Sequence, residues 1–389
     1  MSTDRAAKAV PVPPVAPASR HAGLDWLRVA ATIGVVVLHA GIAYQPHPLP
    51  NLRWATHDTP TVWADLICWP LDAWVMPVFF LLGGFVSHGL LDRLGPRAMT
   101  VHRLRRLGGP FLLGCVLILP LDLYVWLLGT VIDHGMPVRK LQSLKLSGYD
   151  EGLLGPSHLW FLQYLILYCL AAAGLRAIRG PSMRIDPVRD RLLLAVAMFA
   201  SVVALTFDPL ILIGFRHEPL PQPAHLAFFG AFFAIGIRCH RLSWSRRRSF
   251  GWVAVGSLAL VAAWPMMLAD WSGAGGRTPM AACFAIGCWG LGMGAFQFAR
   301  TIERPLPPPI RYVAAASFWI YLFHHPIVGL AQIALKSSSI PSLVKLGVVT
   351  AIGLAIPLMS YQVVVRGRWI GRVLGERPKP PQVHRRRAA

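Results

Sequence analysis

Residues 24–44 read LDWLRVAATIGVVVLHAGIAY. After Arg28 the run carries no charged residue, and it holds one interior histidine, His39. Twenty-one residues of α-helix are roughly 31 Å long, the thickness of a bilayer's hydrocarbon core. The stretch therefore reads as a transmembrane helix with an arginine near one mouth and a histidine deep inside. Nine further runs of similar character follow, at about 62–90, 108–130, 157–175, 191–213, 223–241, 249–269, 279–299, 312–334 and 343–365. Prolines within them, such as Pro70, Pro77 and Pro357, are tolerated in packed membrane bundles. The expected fold is all-α: a polytopic bundle of about ten spanning helices.

Composition agrees. Of the 389 residues 55% are hydrophobic and 14% charged, where soluble proteins carry roughly a quarter charged. The chain is too poor in charge to cover a soluble core of this size. Its net charge of +21 raises nucleic acid as a partner, but position explains the charge better. The N-terminal segment, alternate connections and the C-terminal segment together hold 29 of the 38 Lys and Arg; the opposite connections hold eight, and Arg28 lies inside the first run. Basic residues collect on the cytoplasmic side, so both ends are expected inside and no nucleic-acid partner is expected. Residues 1–20 read as a disordered cytoplasmic tail and 367–389 as a basic one suited to anionic headgroups, with 21–366 as the membrane domain. The longest outer connection, about 131–156, includes Tyr149, Asp150 and Glu151 and is long enough to cover an outward cavity. No internal repeat is visible. The six cysteines form no CxxC pair and read as small packing residues, and no cluster has metal-ligand spacing.

Intramembrane ionisable groups mark the candidate chemistry. Arg28 and His39 are eleven residues apart, almost three full turns, so they share a helix face with roughly 16 Å between them. Asp25, one turn earlier, is placed to hold the Arg28 guanidinium. The plainer alternative is a snorkelling arginine and a packing histidine. In the ninth run, SFWIYLFHHP at 317–326, Ser317, Tyr321 and His324 fall within about 60° of one another, with His325 further round. His324 and His39 come to comparable depth. Two histidines, a tyrosine and a serine at mid-membrane form an acid–base site, or else a polar helix–helix contact. In the loop after the second run, Arg103 and Arg106 are three apart, so they share a face if the segment is helical, and two adjacent guanidiniums suit phosphate, unless they are ordinary positive-inside residues. The fourth run opens with His158 and Trp160 at the outer surface, where the tryptophan is an interfacial anchor or a sugar-stacking face. Asp65, Asp72 and Asp122 line an outward polar cavity or cap helices. His88 and Asp92 form an HxxxD string that we regard as coincidence.

Taken together, these pieces resemble the acyltransferase-3 family of membrane proteins, and most closely the branch containing glucan biosynthesis protein C. The likeness rests on Asp25, Arg28 and His39, on Arg103 and Arg106, on HLWFL at 158–162, and on SFWIYLFHHPI at 317–327, where Phe318 stands in place of the family's usual tyrosine. The resemblance covers about 20–370. It implies a multi-pass enzyme of the bacterial cytoplasmic membrane that moves an acyl group from cytosolic acyl-CoA to a hydroxyl of an extracytoplasmic or membrane-bound acceptor, a glycan above all. It further implies Arg103 and Arg106 on the CoA phosphates and Arg28 guiding the pantetheine arm. His39 would be general base or acylated nucleophile, Tyr321 or Ser317 an oxyanion donor, and His324 a relay. His158, Trp160 and Asp72 would meet the acceptor, and no metal takes part. The rival class is a transporter of a lipid, saccharide or small molecule, with the same residues serving binding or proton coupling; transporters often show two related halves, which are not visible here.

Overall fold

In bilayer hydrocarbon every backbone N–H and C=O must be satisfied within the protein, which leaves the helix as the economical solution for a chain of apolar runs. The computed structural model describes residues 22–48, 52, 54–143, 155–180, 187–209, 211, 219–241, 245–268, 274–368, 370 and 371. The tails at 1–20 and 372–389 and the Tyr149-Asp150-Glu151 segment lie outside these residues. The described residues form ten α-helices, one for each apolar run, and no strand: α1 (Ala22–Ile42), α2 (Val62–Arg103), α3 (Gly109–Asp133), α4 (Trp160–Arg179), α5 (Pro187–Phe207), α6 (Pro223–Arg238), α7 (Arg246–Leu268), α8 (Ala274–Arg300), α9 (Pro308–Leu335) and α10 (Ser342–Ser360). Eight helical stretches are long and apolar enough to cross a membrane; one of these, Val62–Asp133, contains both α2 and α3, and α6 is apolar but only 16 residues long.

The second helix runs past the expected end at residue 90, as far as Arg103. It bends at Gly95, whose φ of 73° is left-handed, and restarts at Pro96 with the ring in the first-turn position that proline suits. A short π-helical turn, Leu104–Gly108, then leads into α3. The segment expected to be a loop is thus a helical elbow on the side that the charge count assigns to the cytoplasm.

Burial separates centre from rim. About two-thirds of the apolar window of α1 is buried, against 17% for α7, so α1 is central and α7 peripheral. The first helix packs on α2, α8, α9 and α10, and α9 packs in addition on α3. The peripheral α7 is held by backbone contact with α8: a Cβ on Gly290 would lie 2.4 Å from Gly256 Cα, and one on Gly256 would lie 2.8 Å from the Leu291 nitrogen. Membrane helices gain no hydrophobic force from one another, so such small-residue approach supplies packing instead.

At the end of the bundle opposite the elbow, the connection between α1 and α2 folds back over the helices. Asp58 N–H donates to Ala43 O at 3.0 Å and Thr61 N–H to Tyr44 O at 2.8 Å. Lys345 and Asp58 form a buried ion pair at 2.7 Å. Asp133 accepts from Thr56, from the His57 backbone and from Lys336. Together these contacts press Trp54 into the bundle, where it is 5% exposed.

Gly290→Val is expected to force α7 away from α8 and to cost about 3 kcal/mol or more. Thermal denaturation in detergent, followed by loss of the monodisperse peak, should show a clear drop, whereas Gly251→Val, with nothing within 4 Å of its added Cβ, should leave that peak almost unchanged. Equal behaviour of the two variants would remove the close-approach account.

Candidate active site

Two helices bring the deep histidines together. His39 on α1 and His324 on α9 share a hydrogen bond, Nδ1 to Nε2, at 3.0 Å, with ring planes 6° apart. Both are buried. Their partners assign the tautomers. His324 Nδ1 lies 3.0 Å from Ile320 O and 2.9 Å from Tyr321 O, and carbonyls only accept, so Nδ1 carries the hydrogen. His324 Nε2 is then the acceptor and His39 Nδ1–H the donor. The basic atom of His39 is therefore Nε2.

The backbone around His39 is held as firmly. Gln332, one helix stretch beyond His324 on α9, donates to His39 O at 3.0 Å and to Ala40 O at 3.1 Å. Its carbonyl accepts from Trp54 Nε1–H at 2.7 Å. The Trp54 ring packs against His39 at 5.4 Å, His325 at 5.3 Å and Trp126 at 5.2 Å between centroids.

A second arm comes from α3 and the start of α4. Asp122 is buried on α3, and His325 Nδ1 donates to its carboxylate at 2.7 and 2.9 Å. The Ser157 hydroxyl donates to the same carboxylate. Ser157 adopts a left-handed φ of 45°, a strained setting that costs about 1–3 kcal/mol in a non-glycine residue and here aims its hydroxyl at Asp122. His158 Nε2–H donates to Leu322 O at 3.1 Å, which turns Nδ1 toward Asp122 at 3.8 Å. The ring of His325 lies between two others: Trp126 at 4.5 Å and His158 at 4.7 Å. The ligand atoms of Asp122, His158 and His325 lie within 4.8 Å of one another, near enough to hold a small cation, although Asp122 and His325 already satisfy each other by hydrogen bond.

The remaining sequence-derived residues fall in several places. Arg28 pairs with Asp25 at 3.1 Å and donates to Ala314 O on α9, also at 3.1 Å. The Ser317 hydroxyl donates to that same carbonyl at 3.0 Å, and the Tyr321 hydroxyl donates to His158 O at 2.7 Å. Both hydroxyl protons are thus engaged by backbone oxygens in this arrangement. His158 and Trp160 were expected at the outer surface; both are buried. The chain reaches the bundle interior before α4 begins, and Trp160 packs on Phe80 and Phe229. Asp72 sits on α2 near Cys68 and Cys288, apart from the histidine contacts, with Oδ2 buried and without a hydrogen-bond partner among the described residues. Arg103 and Arg106 differ where a shared face was expected: Arg103 is buried and donates to Ser87 Oγ at 3.2 Å, while Arg106 is exposed. The π-helical turn between them changes the angular step that a three-residue spacing assumes.

Sequence reasoning left Trp54, Trp126, Gln332 and Ser157 unnamed as site residues and set His325 aside. The available signal was the His324-His325 doublet. Adjacent residues on a helix point about 100° apart, so a helix clasped between α1 and α3 presents one histidine to each.

Comparison with known proteins follows this geometry. Residues 21–361 match the acyltransferase-3 family, described as an acyltransferase domain. The chain is 23% identical to glucans biosynthesis protein C of Shigella dysenteriae serotype 1 (strain Sd197) and 24% identical to that of Escherichia coli O6:K15:H31 (strain 536 / UPEC), in each case over 80% of this chain and 83% of the relative. No solved structure matches.

Gln332→Leu removes three hydrogen bonds, among them the one accepted from the buried Trp54 N–H, and should lower stability by about 2–3 kcal/mol. Thermal unfolding in detergent measures it; a loss below about 0.5 kcal/mol would mean that Gln332 does not hold Trp54 in place.

Proposed function

Because the chain belongs to the acyltransferase-3 family, we propose that it transfers an acyl group from acyl-CoA, entering from the cytoplasm, to a hydroxyl of an acceptor presented from the other side. A membrane acyltransferase is the established part. The donor, the acceptor, the bacterial cytoplasmic membrane as location and the roles below are our reading. One observation carries it: the hydrogen-bond chain from the Ile320 and Tyr321 carbonyls through His324 to His39 that leaves His39 Nε2 as the basic atom. This basic atom is deep in the bundle, about three helical turns above Arg28 on the same face of α1.

In this reading His39 Nε2 takes the proton of the acceptor hydroxyl as its oxygen attacks the thioester carbonyl. A C–O bond forms, and the carbonyl electrons move onto oxygen. The tetrahedral intermediate then collapses, the C–S bond breaks, and the CoA thiolate takes the proton from His39. Products are the acyl ester and CoA thiol, with no net proton change. His324 acts through His39: its Nε2 accepts the Nδ1–H bond that steadies the transient imidazolium. Asp122 fixes His325 and, through Ser157, the start of α4, so it is a positioning residue beside the acceptor. Arg106, exposed on the elbow, meets the CoA phosphates, while buried Arg103 braces the elbow from within. The acceptor is a glycan in keeping with the names of the relatives, which are glucans biosynthesis proteins.

His39→Ala should insert normally and lose acyl transfer by about 10²–10⁴-fold. Near-wild-type transfer by purified His39→Ala would end the general-base assignment. Arg106→Ala should weaken acyl-CoA binding and flatten its salt dependence, with thermal stability kept; Arg103→Ala should lower thermal stability as well. Calorimetry showing unchanged CoA affinity for Arg106→Ala would return that residue to a purely topological role. In sealed vesicles of known orientation, acyl-CoA should support product only from the cytoplasmic face, with free CoA remaining there. If an unmodified solute crosses and acyl-CoA is not consumed, the protein is a transporter.

A further inference from the structure

An apolar groove of about 560 Å³ runs along the outside of the bundle between α1, α2, α7 and α8. Gly23, Trp26, Leu27 and Ala30 supply its α1 wall, Trp74 its deep end and Arg304 its mouth. Ala30 and Phe298 are exposed along it, so it opens sideways to the hydrocarbon. We infer that this groove is a binding site for one chain of an anionic phospholipid of the cytoplasmic leaflet, its headgroup on Arg304.

Three observations fix the occupant. The first is length. Its walls run from Gly23 to Ala30 on α1 and from Leu291 to Ala299 on α8, roughly 10–12 Å of helix rise, and Ile302 and Arg304 extend it beyond the end of α8. One leaflet is about 15 Å of hydrocarbon. The second is charge. Arg304 is exposed at the end of the groove on the side that the charge count places in the cytoplasm, and Arg246 bonds Thr301 at 3.3 Å, bringing a second guanidinium to that end. Glu303 is the opposing charge beside them. An apolar trench ending in net positive charge fits an acyl chain with an anionic headgroup. The third is direction. The wall residues of α1 centre about 150° round the helix from Arg28 and His39. The groove therefore backs the helix that carries the histidine and does not open onto it, which separates its occupant from a reacting acyl chain. The site stands independently of the acyl-transfer reading.

The test uses the full-length protein in phosphatidylcholine nanodiscs containing a small fraction of phosphatidylglycerol or phosphatidylcholine with a photoactivatable acyl chain. Cross-linked residues are mapped by mass spectrometry. Phosphatidylglycerol should label Trp26, Ala30 and Trp74 about five-fold more than phosphatidylcholine does, the size of effect expected of about one guanidinium near an anionic headgroup. Arg304→Gln should bring the two probes close to parity. Ala295→Phe, which fills the groove, should remove labelling at Trp26 and Ala30 for both probes while the exposed α7 residues Leu258 and Val261 stay labelled, a sign that the variant is folded in the disc. Equal labelling of the parent by both probes overturns the headgroup assignment. Labelling at Trp26 and Ala30 that survives Ala295→Phe overturns the groove itself.

Discussion

The hydrogen bond between His39 and His324 sets the relation between α1 and α9, and much of the remaining architecture is arranged to permit it. In water two imidazoles gain little by meeting, because each is already solvated. In hydrocarbon each must find a protein partner, and a polar group left alone there costs several kcal/mol. The same interface carries two more polar contacts along its length: Arg28 on Ala314 O near the start of α1, and Gln332 on the His39 and Ala40 carbonyls near its end. Sliding one helix by a turn would break all three. The register of the two helices is thus specified by hydrogen bonds, where dispersion between apolar side chains alone would allow slippage.

Around this pair the molecule concentrates directional contacts and excludes lipid. Asp122 is a carboxylate in the middle of a bundle, and it is balanced locally by an imidazole and a hydroxyl, with a second imidazole close by. Trp54 closes the group from the side opposite the elbow, on a connection latched by the ion pairs of Asp58 with Lys345 and Asp133 with Lys336. Four histidines from α1, α9 and the start of α4 therefore lie in ring contact under one tryptophan. Two of the helices that build this region, α1 and α9, are among the most buried, while α5 and α7 stand at the rim.

Ten helices, and the meeting of His39 with His324, were legible because bilayer thickness and helical rise convert residue counts directly into depth. Arg28 and His39 on one face, and His324 at matching depth, need only that arithmetic. The Asp122–His325 contact was not legible. It depends on which helix lies on the far side of α9, and pairing between distant helices leaves no period in the sequence. Trp54 was invisible for a different reason: it lies in a connection, and only the fold of that connection carries it inward. The split between Arg103 and Arg106 was missed because a three-residue spacing was converted to a shared face with α-helical geometry, and the chain uses a π-helical turn there. Trp160 was misplaced because a tryptophan at the end of an apolar run looks like an interfacial anchor until its neighbours, Phe80 and Phe229, are known.

The bend at Gly95 has a mechanical side. Arg103 lies eight residues beyond it, roughly 12 Å along the resumed helix. A rigid rod of that length pivoting on one residue converts angle into displacement: about 20° of rotation at Gly95 swings its far end by about 4 Å. The backbone there occupies a region that side-chain-bearing residues rarely enter and glycine enters freely, so Gly95 lets the helix turn at this point without steric cost. The arginine elbow is in effect a short crank, and its reach is set by one pair of dihedral angles more than by the chemistry of the arginines it carries.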